Sequence, residues 1–207
     1  MLLYLLVVAI TKHMKKALVY ILFLVFITSC TEDRKTITQI FNEKIANYTH
    51  IKLPQNFDPN KEPNYREEVF MTDSLFIINF IDKHQFDEDA GDRTYGYYEG
   101  TIIFENENSI GILYLFGFSV GYEYRLYTYS KEEPQIIDSL KISEFASDYS
   151  RTYGKISDNL TIWRKTDFLD WDETTEKDFV KKSIEETFRI NEQGIIQRTS
   201  QNIIEEN

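Results

Sequence analysis

The sequence is poor in cysteine, glycine and basic residues, and each shortage excludes a class of protein. Cys30 is the only cysteine among 207 residues, so neither a disulfide framework nor a cysteine-rich zinc site can form. The 8 glycines are scattered and build no Gly-x-Gly-x-x-Gly or P-loop motif, which excludes the usual phosphate-binding loops. Lys and Arg number 23 against 34 Asp and Glu, and this balance argues against a nucleic-acid partner.

No motif of a known catalytic or metal centre is present. His13, His50 and His84 are isolated from one another, and there is no HExxH or Gly-x-Ser-x-Gly motif. The acidic run 87–92 has its glycine at the fifth position and Tyr98 at the twelfth, so it does not match a calcium-binding EF-hand loop. We interpret that run as a solvated loop. The sequence therefore predicts no catalytic residue, no metal and no cofactor.

What the chain does contain begins with a charge boundary near the N-terminus. The first 29 residues carry three lysines and no acid, whereas the rest has 20 basic and 34 acidic residues, a net charge of −14. Met14-Lys15-Lys16 precedes an apolar run, Ala17 to Phe26, that is shorter than a membrane span of about 20 residues. These are the parts of a secretory signal, predicted here over 1–29. The simpler interpretation of residues 1–13 is that translation starts at Met14; two short membrane segments are the alternative.

Ile27-Thr28-Ser29-Cys30 resembles a bacterial lipobox. The resemblance implies cleavage before Cys30, fatty acyl chains such as palmitate on its sulfur and amino group, and hence a stable membrane anchor. Thr31-Glu32-Asp33 resembles the surface-export signals of Bacteroidota lipoproteins, and the chain as a whole resembles the small β-rich lipoproteins of that phylum. An outer-membrane location with exposure at the cell surface is what this resemblance implies. The alternative is a free Cys30 at the end of an uncleaved anchor helix.

Residues 30–36 are predicted to be the lipidated cysteine and an acidic tether, and residues 37–207 a single β-rich domain. Apolar residues at positions 37, 40, 41, 45 and 48 recur with helical spacing, which predicts one N-terminal helix over about 35–48. Residues 54–64 read as an irregular connection, and residues 174–186 fit a helix or a strand. Strands are predicted over 74–81, 95–104, 109–118, 121–129, 135–142, 155–157, 160–164, 186–190 and 194–198. Short polar turns between them predict a mainly β fold, an antiparallel meander forming a sandwich or barrel-like sheet.

The stretch 121–129 alternates with a period of two, which predicts a half-buried antiparallel strand. It is rich in tyrosine, a residue that offers a large amphipathic contact surface at small entropy cost. The general preference of strands for aromatic residues is the alternative explanation. Two tryptophans, Trp163 and Trp171, lie further along the chain. The predicted binding face consists of Tyr122, Tyr124, Tyr127 and Tyr129.

Two tripeptides suggest sites of modification. Asp73-Ser74-Leu75 and Asp138-Ser139-Leu140 resemble the O-glycosylation tripeptides of exported Bacteroidota proteins. The resemblance implies that Ser74 and Ser139 are exposed at strand starts, although such tripeptides also arise by chance.

These features favour a non-enzymatic envelope lipoprotein that binds a protein or glycan through a Tyr-rich sheet face. The net charge of −14 would favour a basic partner. An inhibitor or immunity protein that neutralises a basic toxin or a lytic enzyme is one alternative. A hydrolase whose site no motif reveals is the other.

Overall fold

The fold was derived from a computed structural model, which describes residues 36–61, 74–81, 96–118, 121–146 and 149–205. Within them the chain forms two helices, α1 (Ile37–Ile45) and α2 (Ser74–Phe80), and eleven strands. The strands are β1 (Thr49–His50), β2 (Gln55–Phe57), β3 (Gly96–Tyr97), β4 (Thr101–Glu105), β5 (Ser109–Phe118), β6 (Gly121–Ser130), β7 (Ile136–Ala146), β8 (Ser150–Ile156), β9 (Thr161–Asp172), β10 (Lys177–Ile190) and β11 (Ile196–Glu205). The predicted mainly β fold with an N-terminal helix is confirmed.

The strands form one sheet in which chain order and spatial order nearly coincide. The order is β1-β4-β5-β6-β7-β8-β9-β10-β11, with β2 beside β8 and β3 beside β5. Only the short pair of β1 with β4 is parallel among the described pairs; the others are antiparallel. From β4 to β11 each strand pairs with the next, which is the predicted meander, because short turns can join only antiparallel neighbours.

The sheet folds over on itself between β7 and β8. These two strands pair only near one end, from Glu144 opposite Thr152 to Ala146 opposite Ser150, and β2 takes the remaining edge of β8. Beyond that point the halves β4–β7 and β8–β11 pack face to face as in a sandwich. Gly154 allows this approach, since a Cβ there would lie 2.3 Å from the carbonyl oxygen of Ile142. The core between the halves contains Phe57, Ile103, Leu113, Leu126, Ile142, Ile156, Ile162, Phe188 and Ile190.

The two helices cover the opposite face of the first half. Alternate residues of β5 point to the two sides: Ile112 and Tyr114 pack toward the helices, and Leu113 between them packs into the sandwich core. β5 and β6 are therefore buried on both faces. The core under the helices contains Phe41, Tyr48, Phe76, Ile77, Phe80, Ile81, Tyr97, Ile102, Ile110, Ile112, Tyr114, Tyr127 and Tyr129.

The run 74–81 is a helix, and the strand predicted there is wrong. Its buried residues Phe76, Ile77, Phe80 and Ile81 recur at intervals of one, three and one, which places them on one side of a helix. A short apolar run fits a buried strand or a buried helix equally well by periodicity. Packing against α1 and β6 decides the outcome, with the Phe76 and Phe80 rings against that of Phe41.

The ambiguous stretch 174–186 is mostly strand. Asp172 ends β9 and accepts hydrogen bonds from the Thr174 amide and the Thr175 hydroxyl, and this turn leads into β10 at Lys177. β9 and β10 are 12 and 14 residues long, so the hairpin that they form is much longer than the segments predicted.

Candidate functional site

The four tyrosines of the predicted binding face do not form an exposed surface. Tyr122, Tyr127 and Tyr129 are 4%, 5% and 0% exposed. Tyr124 is half-buried, with its ring centre 5.2 Å from that of Phe57. The alternation of β6 is real, but both of its faces are covered, one by the helices and one by the second half of the sheet.

The tyrosine hydroxyls instead hold the fold together. The Tyr129 hydroxyl donates a 2.8 Å hydrogen bond to the carbonyl oxygen of Phe80 and so fixes the end of α2. The Tyr122 hydroxyl lies 2.7 Å from the carbonyl oxygen of Lys61 and anchors the segment after β2. A buried phenol requires such a partner, and both contacts are structural.

An exposed aromatic surface lies elsewhere, on the outer side of β9. Alternate residues of a strand share one face. Ile162 is fully buried in the sandwich core, so its neighbour Trp163 and every second residue after it point away from the core. Trp163 is 36% exposed and Trp171 56% exposed. We call this surface the tryptophan face; it comprises Trp163, Lys165, Asp167, Leu169 and Trp171.

The centre of the tryptophan face is polar and tightly hydrogen-bonded. Ser183 of β10 donates a 2.6 Å hydrogen bond from its hydroxyl to Asp167 Oδ1, and both residues are buried. Lys165 Nζ lies 3.0 Å from the same oxygen. Because the carboxylate is held from two sides, the polar centre is preorganised, and the two tryptophans flank it.

The outer face around these residues is not acidic, in contrast to the chain as a whole. Directly opposed residues of neighbouring strands share a face, so the strand register identifies the charged neighbours. Four basic residues are balanced against three acidic ones: Arg151, Lys155, Lys165 and Arg189, and Asp167, Asp178 and Glu185. A ligand on this face would therefore meet no strong field of one sign.

The core-facing side of the same hairpin holds a different cluster, which joins the two halves. Glu186 accepts hydrogen bonds from Arg164 and, at 3.0 Å, from Arg198. Arg164 also donates a 3.0 Å bond from Nη1 to the carbonyl oxygen of Lys141 in the first half. Burial alone would raise the pKa of Glu186, but the hydrogen bonds and charges of Arg164 and Arg198 outweigh it and hold the pKa below 4.5.

The grooves on the described surface gather few reactive groups. One of about 700 Å³ lies between the helices and the β6–β7 turn, lined by Ile37, Thr38, Asn79, Glu133, Pro134, Gln135 and Ile136. Glu133 is its only titratable residue. No group of three or more potential metal ligands occurs among the described residues. None of the described helices is long and apolar enough to cross a membrane.

The remaining predicted sites are placed only in part. Cys30 and the acidic run 87–92 lie outside the described residues. Ser139 is exposed in β7, and its backbone amide donates a hydrogen bond to Asp138 Oδ1. Ser74 is the first residue of α2, so the expectation that it begins a strand is wrong.

The tryptophan face could be found from the sequence only in outline. The positions 163, 165, 167, 169 and 171 share a parity, but the prediction ended the strand at residue 164 and left Trp171 outside it. No protein-family model, curated protein or solved structure matches the chain.

Proposed function

We propose that the chain is an envelope-anchored lipoprotein that binds an extended glycan on its tryptophan face. The observation that carries this proposal is the pairing of Trp163 with Trp171 on one exposed strand face, about 26 Å apart at ~3.3 Å per residue. Exposed rings on a rigid sheet offer a large contact area with little entropy to lose. Lys165 lies between them with its side chain 31% exposed and can donate to sugar hydroxyl groups, while the buried Asp167 holds its ammonium group in place.

The location rests on the motif Ile27-Thr28-Ser29-Cys30. We propose that residues 1–29 are a cleaved signal peptide and that Cys30 carries the lipid anchor. Diacylation together with N-acylation would hold the domain at the outer membrane, since one acyl chain alone gives only marginal binding. The acidic residues behind Cys30 support exposure at the cell surface, where glycans are accessible.

The charge of the tryptophan face favours a neutral or weakly anionic ligand. Four basic residues balance three acidic ones there, although the chain is acidic. The net charge of the whole chain favours a basic partner, which would have to bind another surface. Such a partner belongs to the alternative function, inhibition of a basic lytic enzyme.

Tryptophan fluorescence provides a direct binding test, because Trp163 and Trp171 are the only two tryptophans. The purified protein is titrated with a neutral glucan, an acidic polyuronate and lysozyme as a basic lytic enzyme. We expect a polysaccharide to change the emission, and Trp163→Ala and Trp171→Ala each to weaken binding at least about tenfold, or about 1.4 kcal/mol.

Phe179→Ala is the matched control. Phe179 is 46% exposed on the neighbouring strand, opposite Asp170, and therefore faces away from the tryptophan face. Its removal should leave polysaccharide binding unchanged. Polysaccharide binding that survives both tryptophan substitutions would refute the proposed site. Tight binding of lysozyme by all variants would favour the inhibitor alternative instead.

The anchor is tested separately by intact mass and by protease treatment of whole cells. We expect a mature chain starting at Cys30 with added acyl mass, which protease removes from intact cells. Cys30→Ala should lack the acyl mass and leave the membrane fraction. An unacylated wild-type chain that retains its N-terminal segment would overturn the lipoprotein assignment but not the glycan site.

A further inference from the structure

β11 forms an open edge of the sheet. It pairs with β10 on one side, and no described strand pairs with its other side, where only Ile196 at its start donates a 2.9 Å hydrogen bond to Asp138 Oδ2 of β7. All residues from Gln197 to Glu205 are exposed. Ile203 and Ile204, on opposite faces of the strand, are 52% and 40% exposed.

Apart from a bulge at Thr199 and two charged residues on the core side, this edge lacks the features that usually prevent strand pairing. Natural edge strands are short, contain proline or lysine, or are covered by another segment. β11 has ten residues and contains neither proline nor lysine. Its single irregularity is a bulge near its start, at Thr199. Ser200 lies opposite Thr187 of β10 and Arg198 lies opposite Phe188, so Thr199 has no opposite residue. From Ser200 to Glu205 the strand is regular.

The distribution of charge along β11 makes the edge complementary to itself. The strand carries one basic residue, Arg198, near its start and one acidic residue, Glu205, at its end. Two copies that run antiparallel would bring each arginine to the glutamate of the other copy. Opposite charges that face each other across an antiparallel pair stabilise it.

The requirement that opposed side chains share a face restricts the register. Arg198 faces the core side with Phe188, and Glu205 faces the same side with Lys182. With a two-fold axis at Asn202, Gln201 opposes Ile203 of the second copy, and Ser200 opposes Ile204. The extra residue Thr199 is then skipped, as it is against β10, and Arg198 opposes Glu205.

Other two-fold registers either leave Arg198 without Glu205 opposite it or form a shorter ladder. A two-fold axis at Gln201 would oppose Arg198 to Ile203. A two-fold axis at Ile203 would leave a ladder of only five residues, 201–205. The axis at Asn202 alone pairs the two charges and accommodates Thr199.

We propose that β11 pairs antiparallel with β11 of a second copy of this chain, about a two-fold axis at Asn202, to form a dimer with one continuous sheet. Such isologous two-fold contacts are the commonest basis of homodimers. An axis perpendicular to the sheet keeps equivalent faces on the same side. The two tryptophan faces would therefore lie side by side on one surface with four tryptophans.

Disulfide trapping tests both the dimer and its register. The full chain carrying Asn202→Cys is expressed, the lysate is treated with a mild oxidant, and the products are separated without reductant. Residues opposed in an antiparallel pair have Cα atoms about 4.5–5.5 Å apart, within the range that a disulfide spans. We expect a band at twice the monomer mass.

Gln197→Cys is the register control on the same strand. In the proposed register the two introduced thiols would be on the order of 30 Å apart, so no cross-link should form. The unaltered chain reports any cross-link through Cys30. Equal cross-linking at both positions, or none at Asn202, would overturn the proposal.

A second measurement avoids new cysteines. The mass of the detergent-extracted protein is determined by sedimentation over a range of concentrations. Glu205→Lys places one lysine opposite each Arg198 of the other copy, so that like charges face each other, and should weaken dimerisation at least about tenfold. Glu192→Lys makes the same charge change in the exposed β10–β11 turn and should leave the dimer intact. A wild-type monomer at every concentration would overturn the proposal.

Discussion

Arg164 and Glu186 face each other across β9 and β10, and Arg164 donates two hydrogen bonds to one oxygen of the Glu186 carboxylate, one of them 3.1 Å from Nε. The other oxygen accepts from Arg198. The guanidinium also lies 5.0 Å from the ring centre of Phe188 and reaches the carbonyl oxygen of Lys141 in the other half of the sheet. The carboxylate thus fixes the arginine that ties the two halves together.

Glu186→Gln should destabilise the fold by about 3 kcal/mol, because it leaves a largely buried arginine without its counter-charge. Urea denaturation of the purified protein measures the loss. Glu185→Gln is the matched control: Glu185 is the preceding residue and faces the outer side, so it should cost less than about 0.5 kcal/mol. Equal losses of stability for Glu186→Gln and Glu185→Gln would show that the contacts of Glu186 with Arg164 and Arg198 add no stability beyond that of a surface carboxylate.

The Glu186 carboxylate should make the free energy of unfolding depend on pH in the acidic range. Its pKa lies below 4.5 in the folded protein, because Arg164 and Arg198 outweigh the effect of burial. The stabilisation is therefore complete above about pH 5 and is lost as the pH falls through the folded-state pKa. Urea denaturation between pH 3 and pH 7 should show a steeper loss for the wild type than for Glu186→Gln. Parallel pH profiles would contradict this assignment.

Two buried tyrosines should respond differently to loss of the hydroxyl. Tyr129→Phe removes the hydrogen bond to Phe80 and should cost about 1 kcal/mol. Tyr114→Phe should cost less, because the Tyr114 hydroxyl makes no hydrogen bond of good geometry within the described part of the chain and only approaches the hydroxyls of Tyr129 and Tyr48. Thermal or urea denaturation at pH 7 compares the pair. A larger loss for Tyr114→Phe would show that its hydroxyl has a partner after all.

Tyr114 and Tyr129 should make the free energy of unfolding depend on pH in the alkaline range. Burial first, and the neighbouring tyrosines second, raise the pKa of Tyr114 well above 10.0, and burial likewise raises that of Tyr129. Stability should hold below pH 10 and decline above it, as tyrosines ionise in the unfolded chain, by about 1.4 kcal/mol per pH unit for each buried group. Tyr114→Phe should reduce this slope. An unchanged slope would exclude Tyr114 as a contributor.

Gly154→Ala should separate the two halves of the sheet. Its new Cβ would lie 2.3 Å from the carbonyl oxygen of Ile142, a backbone atom that can move only with β7. Gly111→Ala makes the matched comparison, because its nearest neighbour is the Phe104 ring, a side chain that can rotate. We expect a loss of about 3 kcal/mol at Gly154 and a smaller one at Gly111, by urea denaturation. The reverse order would refute the close packing of β7 on β8.

The β9–β10 turn offers a stabilising change. Glu176 has a φ of 53°, in the left-handed region that favours glycine. Glu176→Gly should raise the free energy of unfolding by about 0.5 kcal/mol through relief of this strain. Glu173→Gly in the same turn relieves no positive φ and should lower stability instead. A shift of Tm in the same direction for both variants would contradict the turn geometry.

Strand β6, in the first half of the sheet, shows how much the local sequence pattern can predict. The alternation of 121–129 correctly predicted β6, because a period of two follows from strand geometry alone. Whether a side is covered depends on segments far away in sequence, here α1, α2 and β8–β10. The predicted binding face failed for that reason.

The sequence by itself determined the mainly β meander, the N-terminal helix and most of the hairpins, since these depend on short-range periodicity and polar turns. Tertiary structure decided that 74–81 is a helix, that the sheet folds over between β7 and β8, and that Trp163 and Trp171 remain exposed while the tyrosines of β6 do not. Those outcomes depend on which apolar surfaces meet across the core, and burial of apolar area is a property of the whole folded chain.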